Sequence, residues 1–221
     1  MLRGAVSIET ERAAKSVNRD AVRRLAPRWG IAIARVAYTV HPMSLSLHSL
    51  AIETFVPTLR TLSKLLDMGA AHAAEKKFDP TVLVQACLAP DMLPLAAQVR
   101  LACHHARDAT SRLAGKGGTT YGGNDVTIDE MKVRIEQTIE FMRSTPVAAF
   151  EGAEDREVVI PVTGYERDFH LKGFELLRDW SLPHFYFHYV TAYDILCHNG
   201  VLIGKRDYMS HISQYIRPRA V

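Results

Sequence analysis

The stretch Leu182–His198 constrains the fold more than any other part of the chain. Phe185, Tyr186, Phe187, Tyr189, Val190, Tyr193, Ile195 and Leu196 make it apolar or aromatic nearly all round a helix. A helix with no polar face is stable in water only when other elements, or another copy of the chain, cover it. Asn199-Gly200 ends it with residues suited to a helix C-terminus. The chain must therefore supply further helices to pack around this one.

It supplies three. Ile52, Phe55, Leu59, Leu62, Leu66 and Gly69 fall at helical spacing and predict a helix from about Ser46 to Lys76, with Pro57 as a kink near its beginning. Asp79-Pro80 provides a cap and a first-turn proline for a short helix, Thr81–Leu88. After Pro90-Asp91 a second long helix carries Met92, Leu95, Ala96, Val99, Ala102, Ala106 and Leu113 on one face and ends at Gly115. Lys116–Asp125 is a glycine-rich loop. Thr127-Ile-Asp-Glu130 is a capping box that launches a third helix, with Met131, Ile135, Ile139 and Met142 as its buried stripe and Pro146 as its stop. Glu157–Val162 and Tyr165–Leu171, separated by Thr163-Gly164, read as a small β-hairpin. The expected fold is mainly α: an up-and-down four-helix bundle with a short β-hairpin inserted before the last helix.

Charge separates the first segment from the rest. The net charge is +3, but residues 1–42 hold eight basic and three acidic residues, while 43–221 hold 19 and 21. The body thus has no basic stripe for nucleic acid. Residues 1–42 lack a sustained apolar period, and Arg35 interrupts Ile31–Ala34, so a secretory signal fits poorly. We read 1–42 as a basic extension, disordered or not native, with Met43 as the natural start. Residues 43–210 form the bundle and 211–221 a tail. No apolar run reaches the roughly 18 residues of a membrane span. Cys87, Cys103 and Cys197 are too few and scattered for a disulfide framework, and read as reduced thiols of a cytoplasmic protein.

Ten histidines are many for this length. His184 and His188 stand at i, i+4, a spacing that lets two imidazoles reach one divalent ion from adjacent turns. The same pair also suits two rings bonded to water or carbonyls. At about 100° per residue, His105 lies at the edge of the second long helix's apolar stripe and His104 nearly opposite it, toward solvent. His198 lies about 15 Å from His188 along the helix, too far to share a centre, and pairs locally with Asp194 in this reading. His48, His72, His170 and His211 have no neighbours that suggest a site. Cys103–His104 and Cys197–His198 are adjacent on their helices and point apart, so neither forms an activated thiol pair. There is no GxSxG elbow, P-loop or dinucleotide fingerprint. The acidic run Glu151–Arg156 reads as a solvated turn before the hairpin.

Several of these segments, in this order, resemble a bacterial branch of the DinB/YfiT-like four-helix bundles whose function is unassigned. They are Leu88-Ala-Pro-Asp-Met92, the helix of His105, Phe150–Glu157 before the hairpin, and Leu182-Pro-His-Phe-Tyr-Phe-His188 through Tyr193 to His198-Asn-Gly200. The resemblance spans roughly Met43 to Tyr208. Metal-binding members of the wider superfamily use one histidine of the second helix and an HxxxH pair of the last, which implies His105, His184 and His188 here. The branch itself often carries asparagine at the place of His184. Some superfamily members are thiol-dependent transferases or hydrolases, and many are dimers.

Two functions follow. The first is a bundle that binds a small ligand or a partner, such as a second copy, without an evident reaction, its aromatic last helix (Tyr186, Tyr189 and Tyr193) lining the pocket or the dimer seam. The alternative is an enzyme dependent on a divalent metal such as zinc or nickel, held by His105, His184 and His188. No residue stands out as its general base.

Overall fold

The computed structural model describes residues 46–217 and 219, apart from 121, 162, 163 and 165. The expected extension 1–42 and the Met43 start lie outside these residues. All the described elements belong to the unit Ser44–Val221.

Helix α1 (Leu47–Lys76) starts where the Ser46 side chain accepts the Ser49 N–H at 3.1 Å. It ends at Lys77, whose left-handed backbone turns its N–H back to Ala73 and Ala74. Phe55, Leu59, Leu62 and Leu66 are fully buried along it, each contributing roughly 1.5–3 kcal/mol. Helix α2 (Thr81–Gln85) opens on Asp79, whose carboxylate accepts the Thr81 N–H at 2.8 Å. This bond holds the Asp79 carboxyl below its ordinary range.

Two expected boundaries move, both for backbone reasons. Helix α2 stops at Gln85 rather than Leu88 because Ala86 is extended, and its carbonyl takes the Leu95 N–H at 2.9 Å. Helix α3 (Leu95–Leu113) starts after Pro94 rather than at Met92. Pro94 is extended, and its carbonyl receives the first helical bond, from the Gln98 N–H at 3.0 Å.

Helix α4 (Ile128–Ser144) is launched by the expected capping box. Thr127 accepts the Glu130 N–H at 3.1 Å, and the Glu130 carboxylate accepts the Thr127 N–H, also at 3.1 Å. Met131, Ile135, Ile139 and Met142 are all buried. The hairpin is present but smaller than expected: β1 (Glu157–Ile160) pairs antiparallel with β2 (Phe169–Lys172), Glu157 opposite Lys172 and Ile160 opposite Phe169. Arginines tie this region to the C-terminal end of α3. Arg112 Nη1 donates to the Val159 carbonyl at 3.1 Å, and Arg156 donates to the Leu113 carbonyl.

After β2 the chain makes one helical turn, Gly173–Glu175, then a wide π-helical turn, Leu176–Ser181, and enters α5 (Leu182–His198) with the expected limits. Pro183 in the first turn of α5 has no N–H, so no α-helical bond to the Asp179 carbonyl can form beneath it. The wide turn occupies that place.

Helix α3 packs against α5 and α4, and α1 packs against α4, α3 and α5. The fold is a mainly α four-helix bundle with a short β-hairpin before the last helix. Helix α5 is not enclosed on all sides. Phe185, Tyr189, Ala192, Ile195 and Leu196 are buried, but Phe187 is 59% exposed, and Tyr186 and Val190 are also open. No helix among the described residues is long and apolar enough to cross a membrane.

Candidate functional site

Where α3 crosses α5, three histidines meet. The His105 ring lies 4.6 Å from that of His184 at 26°, and 5.5 Å from that of His188 at 7°. The residues singled out in the sequence thus gather in one place. His188 is buried, while His105 and His184 are half-buried.

Two of the rings are fixed by carbonyl oxygens. His188 Nδ1 lies 2.8 Å from Gln98 Oε1, and His184 Nδ1 lies 2.7 Å from the Trp180 carbonyl. A carbonyl oxygen only accepts, so each Nδ1 carries the proton and each Nε2 is the nitrogen left for another partner. Gln98 is itself oriented: its amide nitrogen donates to the Leu93 carbonyl at 2.9 Å, which turns Oε1 toward His188. Among the described residues no hydrogen bond holds the His105 ring. Burial, reinforced by the neighbouring rings, pushes the His105 pKa down to about 3 and that of His188 to about 4. Both are therefore neutral near pH 7, the form that binds metals.

Neutral imidazoles suit zinc, nickel and similar ions. Metal–nitrogen bonds are about 2.1 Å long, so one ion can span rings at these separations once their edges turn toward it. The rings instead face one another. Among the described residues no three His, Cys, Asp or Glu side chains are arranged to hold an ion as they stand. Taking up a metal here requires ring rotation, above all of His105.

Sequence reasoning missed Gln98 and Trp180. Gln98 lies two turns before His105, a polar residue set among Leu95, Ala96, Val99 and Ala102, and that misfit was the available signal. The Trp180 contribution is a backbone carbonyl, which leaves no mark in the sequence. The Trp180 ring also packs 4.5 Å from His184 and 5.3 Å from Phe169 of β2, so the hairpin backs the site.

His104 departs from expectation. It is half-buried rather than solvated, because α4 and the loop after α3 cover that side of α3; burial lowers its pKa. Its ring lies 5.2 Å from that of His105. The expected Asp194–His198 contact does not form, and His198 is exposed. Tyr189 is fully buried and donates its hydroxyl to the Tyr208 carbonyl at 2.6 Å, and burial raises its pKa. Tyr193 is half-buried against Tyr208, with its pKa pushed up to about 12, first by a hydrogen bond with the Cys197 thiol. Tyr186 is 37% exposed beside Tyr189. Cys103 is buried, its thiol pushed up to about 12, which agrees with an inert cysteine.

No curated protein matches the sequence. A crystal structure of a DinB family member protein from Shewanella denitrificans is similar at 32% identity and a TM-score of 0.67, over 74% of this chain and 91% of that one. Residues 47–209 match the family model DUF1993, a domain of unknown function. This stretch covers most of the chain and the whole bundle, and the chain therefore belongs to the DUF1993 family, with a DinB-like fold.

Proposed function

We propose that this DinB-like domain is a ligand-binding module whose centre is the trio His105, His184 and His188, and that the ligand suited to it is a divalent transition ion such as zinc or nickel. One observation carries the reading: two helices bring three imidazoles together, and carbonyl oxygens take the Nδ1–H of two of them, leaving their Nε2 lone pairs for an ion. Ligating histidines in metal sites are fixed through their second nitrogen in this same way. The proposed partner is a second copy of the chain, seated on the exposed stripe Tyr186, Phe187 and Val190.

Elemental analysis of untagged protein, followed by titration with zinc chloride, tests the reading. About one ion per chain is expected, and His188→Ala should lose it. Zinc binding that is absent, or unchanged in His188→Ala, overturns it.

A thiol-dependent transferase or hydrolase is the second reading, favoured by a cleft that opens at His104 beside the trio. A bound ion would supply Lewis-acid chemistry there and lower the pKa of a coordinated water or thiol.

A further inference from the structure

Beside His104, whose ring lies 5.2 Å from that of His105, a cleft of about 350 Å³ opens between α3, α4 and the glycine-rich loop. Its size is that of a small-molecule site. Arg100, His104 and Arg107 of α3 line it together with Arg134, Gln137 and Thr138 of α4, and no carboxylate is among its described lining residues. A concave surface that gathers three guanidiniums, with the Gln137 amide and the Thr120 hydroxyl also in its lining, suits an oxyanion.

Two of the arginines are held in different ways. Arg134 makes a two-pronged pair with Asp125, Nε to Oδ2 at 2.6 Å and Nη2 to Oδ1 at 2.9 Å, so its charge is already answered. The Arg107 guanidinium lies over the Phe141 ring, 4.0 Å from its centre. The aromatic face positions that cation without neutralising it. No described carboxylate pairs with Arg107 and no described acceptor takes its hydrogens, so its fork of donors is available. Asp108, the nearest acidic residue on α3, is committed elsewhere: it accepts Arg112 Nε and the Thr119 N–H, each at 2.7 Å.

We propose that this cleft binds a small molecule through a phosphate or carboxylate group, with Arg107 as the principal contact. Anion binding here does not depend on a metal at the trio, which the cleft adjoins through His104.

Calorimetric titration of the full chain with inorganic phosphate and with pyrophosphate, at constant ionic strength, tests the proposal. Saturable binding of one anion per chain is expected. Arg107→Ala and Arg107→Gln should each weaken it about tenfold or more, since each removes a charge-assisted contact. Circular dichroism confirms that the variants are folded. Arg143→Ala, outside the cleft, and His188→Ala, which removes a proposed metal ligand, should bind phosphate as the parent does. The proposal is overturned if neither anion gives saturable binding, or if both Arg107 variants bind as the parent does.

Discussion

His188 and Gln98 are joined across the α3–α5 interface by a buried hydrogen bond of 2.8 Å from Nδ1 to Oε1, and the amide is locked in that sense by its second bond to Leu93. This single contact selects the His188 tautomer. Replacing Gln98 with Leu keeps the volume roughly equal but leaves a buried N–H without an acceptor, at a cost of about 1–3 kcal/mol. The expected result is a lower thermal midpoint and, because the ring is no longer oriented, a zinc affinity weaker by about 10–100-fold. Unaltered zinc affinity in folded Gln98→Leu would show that the tautomer is irrelevant to metal binding.

The depressed histidines give stability a definite pH dependence. His188 binds its proton with a pKa of about 4 in the folded chain, against an ordinary value of 6.5 when unfolded. As pH falls below 6.5 the unfolded chain takes up the proton first. The stabilisation is thus complete above about pH 6.5 and is lost as pH falls toward 4, on the order of 3 kcal/mol for this buried ring. His105, whose pKa is lower still at about 3, acts in the same direction. Urea unfolding between pH 4 and 7 should show the slope, and His188→Gln should reduce it, leaving the part that His105 contributes. A flat profile in the parent chain refutes the assignment.

Gly173 joins β2 to the turn that leads into α5, and a Cβ at this position would overlap the backbone carbonyl oxygen of Ala153. A carbonyl in the main chain cannot swing away as a side chain does. Gly173→Ala should therefore destabilise the chain by about 1–3 kcal/mol, readable as a drop in denaturation midpoint. Gly122→Ala, with open space around it, serves as the comparison and should change the midpoint little.

The exposed stripe on α5 leads to a prediction about assembly. If a second copy covers Tyr186, Phe187 and Val190, light scattering should report a dimer, and Phe187→Glu should convert it to a monomer that remains folded. A parent chain that is monomeric at all concentrations removes the proposal.

The sequence showed most clearly what depends on periodicity and local capping. The limits of α5 and the capping box at Thr127 were both legible, because each is decided by residues within a turn or two. Periodicity placed His105 at the edge of its helix's apolar stripe, able to turn into a pocket between helices, and the likeness to relatives joined it to His184 and His188, since nothing within one helix states which helix faces it. What escaped was settled across elements. Helix α3 begins three residues late because Pro94 is extended, and its polar flank is covered because α4 and the following loop lie on it, which is why His104 is not in solvent. The strand at Tyr165–Leu171 shrank to Phe169–Lys172 because pairing with four residues of β1, rather than β-propensity alone, fixed its length.

The wide turn Leu176–Ser181 sets the angular phase of everything after it. A π-helical turn takes up one residue more than an α-helical one, and one residue corresponds to roughly 100° of rotation. Rewound as ordinary helix, the same six residues would swivel α5 by about that angle about its own axis. His184 and His188 would then no longer look toward α3, and a different strip of the aromatic helix would face outward. The bundle's interior and its outer face are thus set together by one irregular turn, and a single-residue deletion there, which removes the extra residue, would let the turn rewind as ordinary helix with the phase of α5 nearly unchanged.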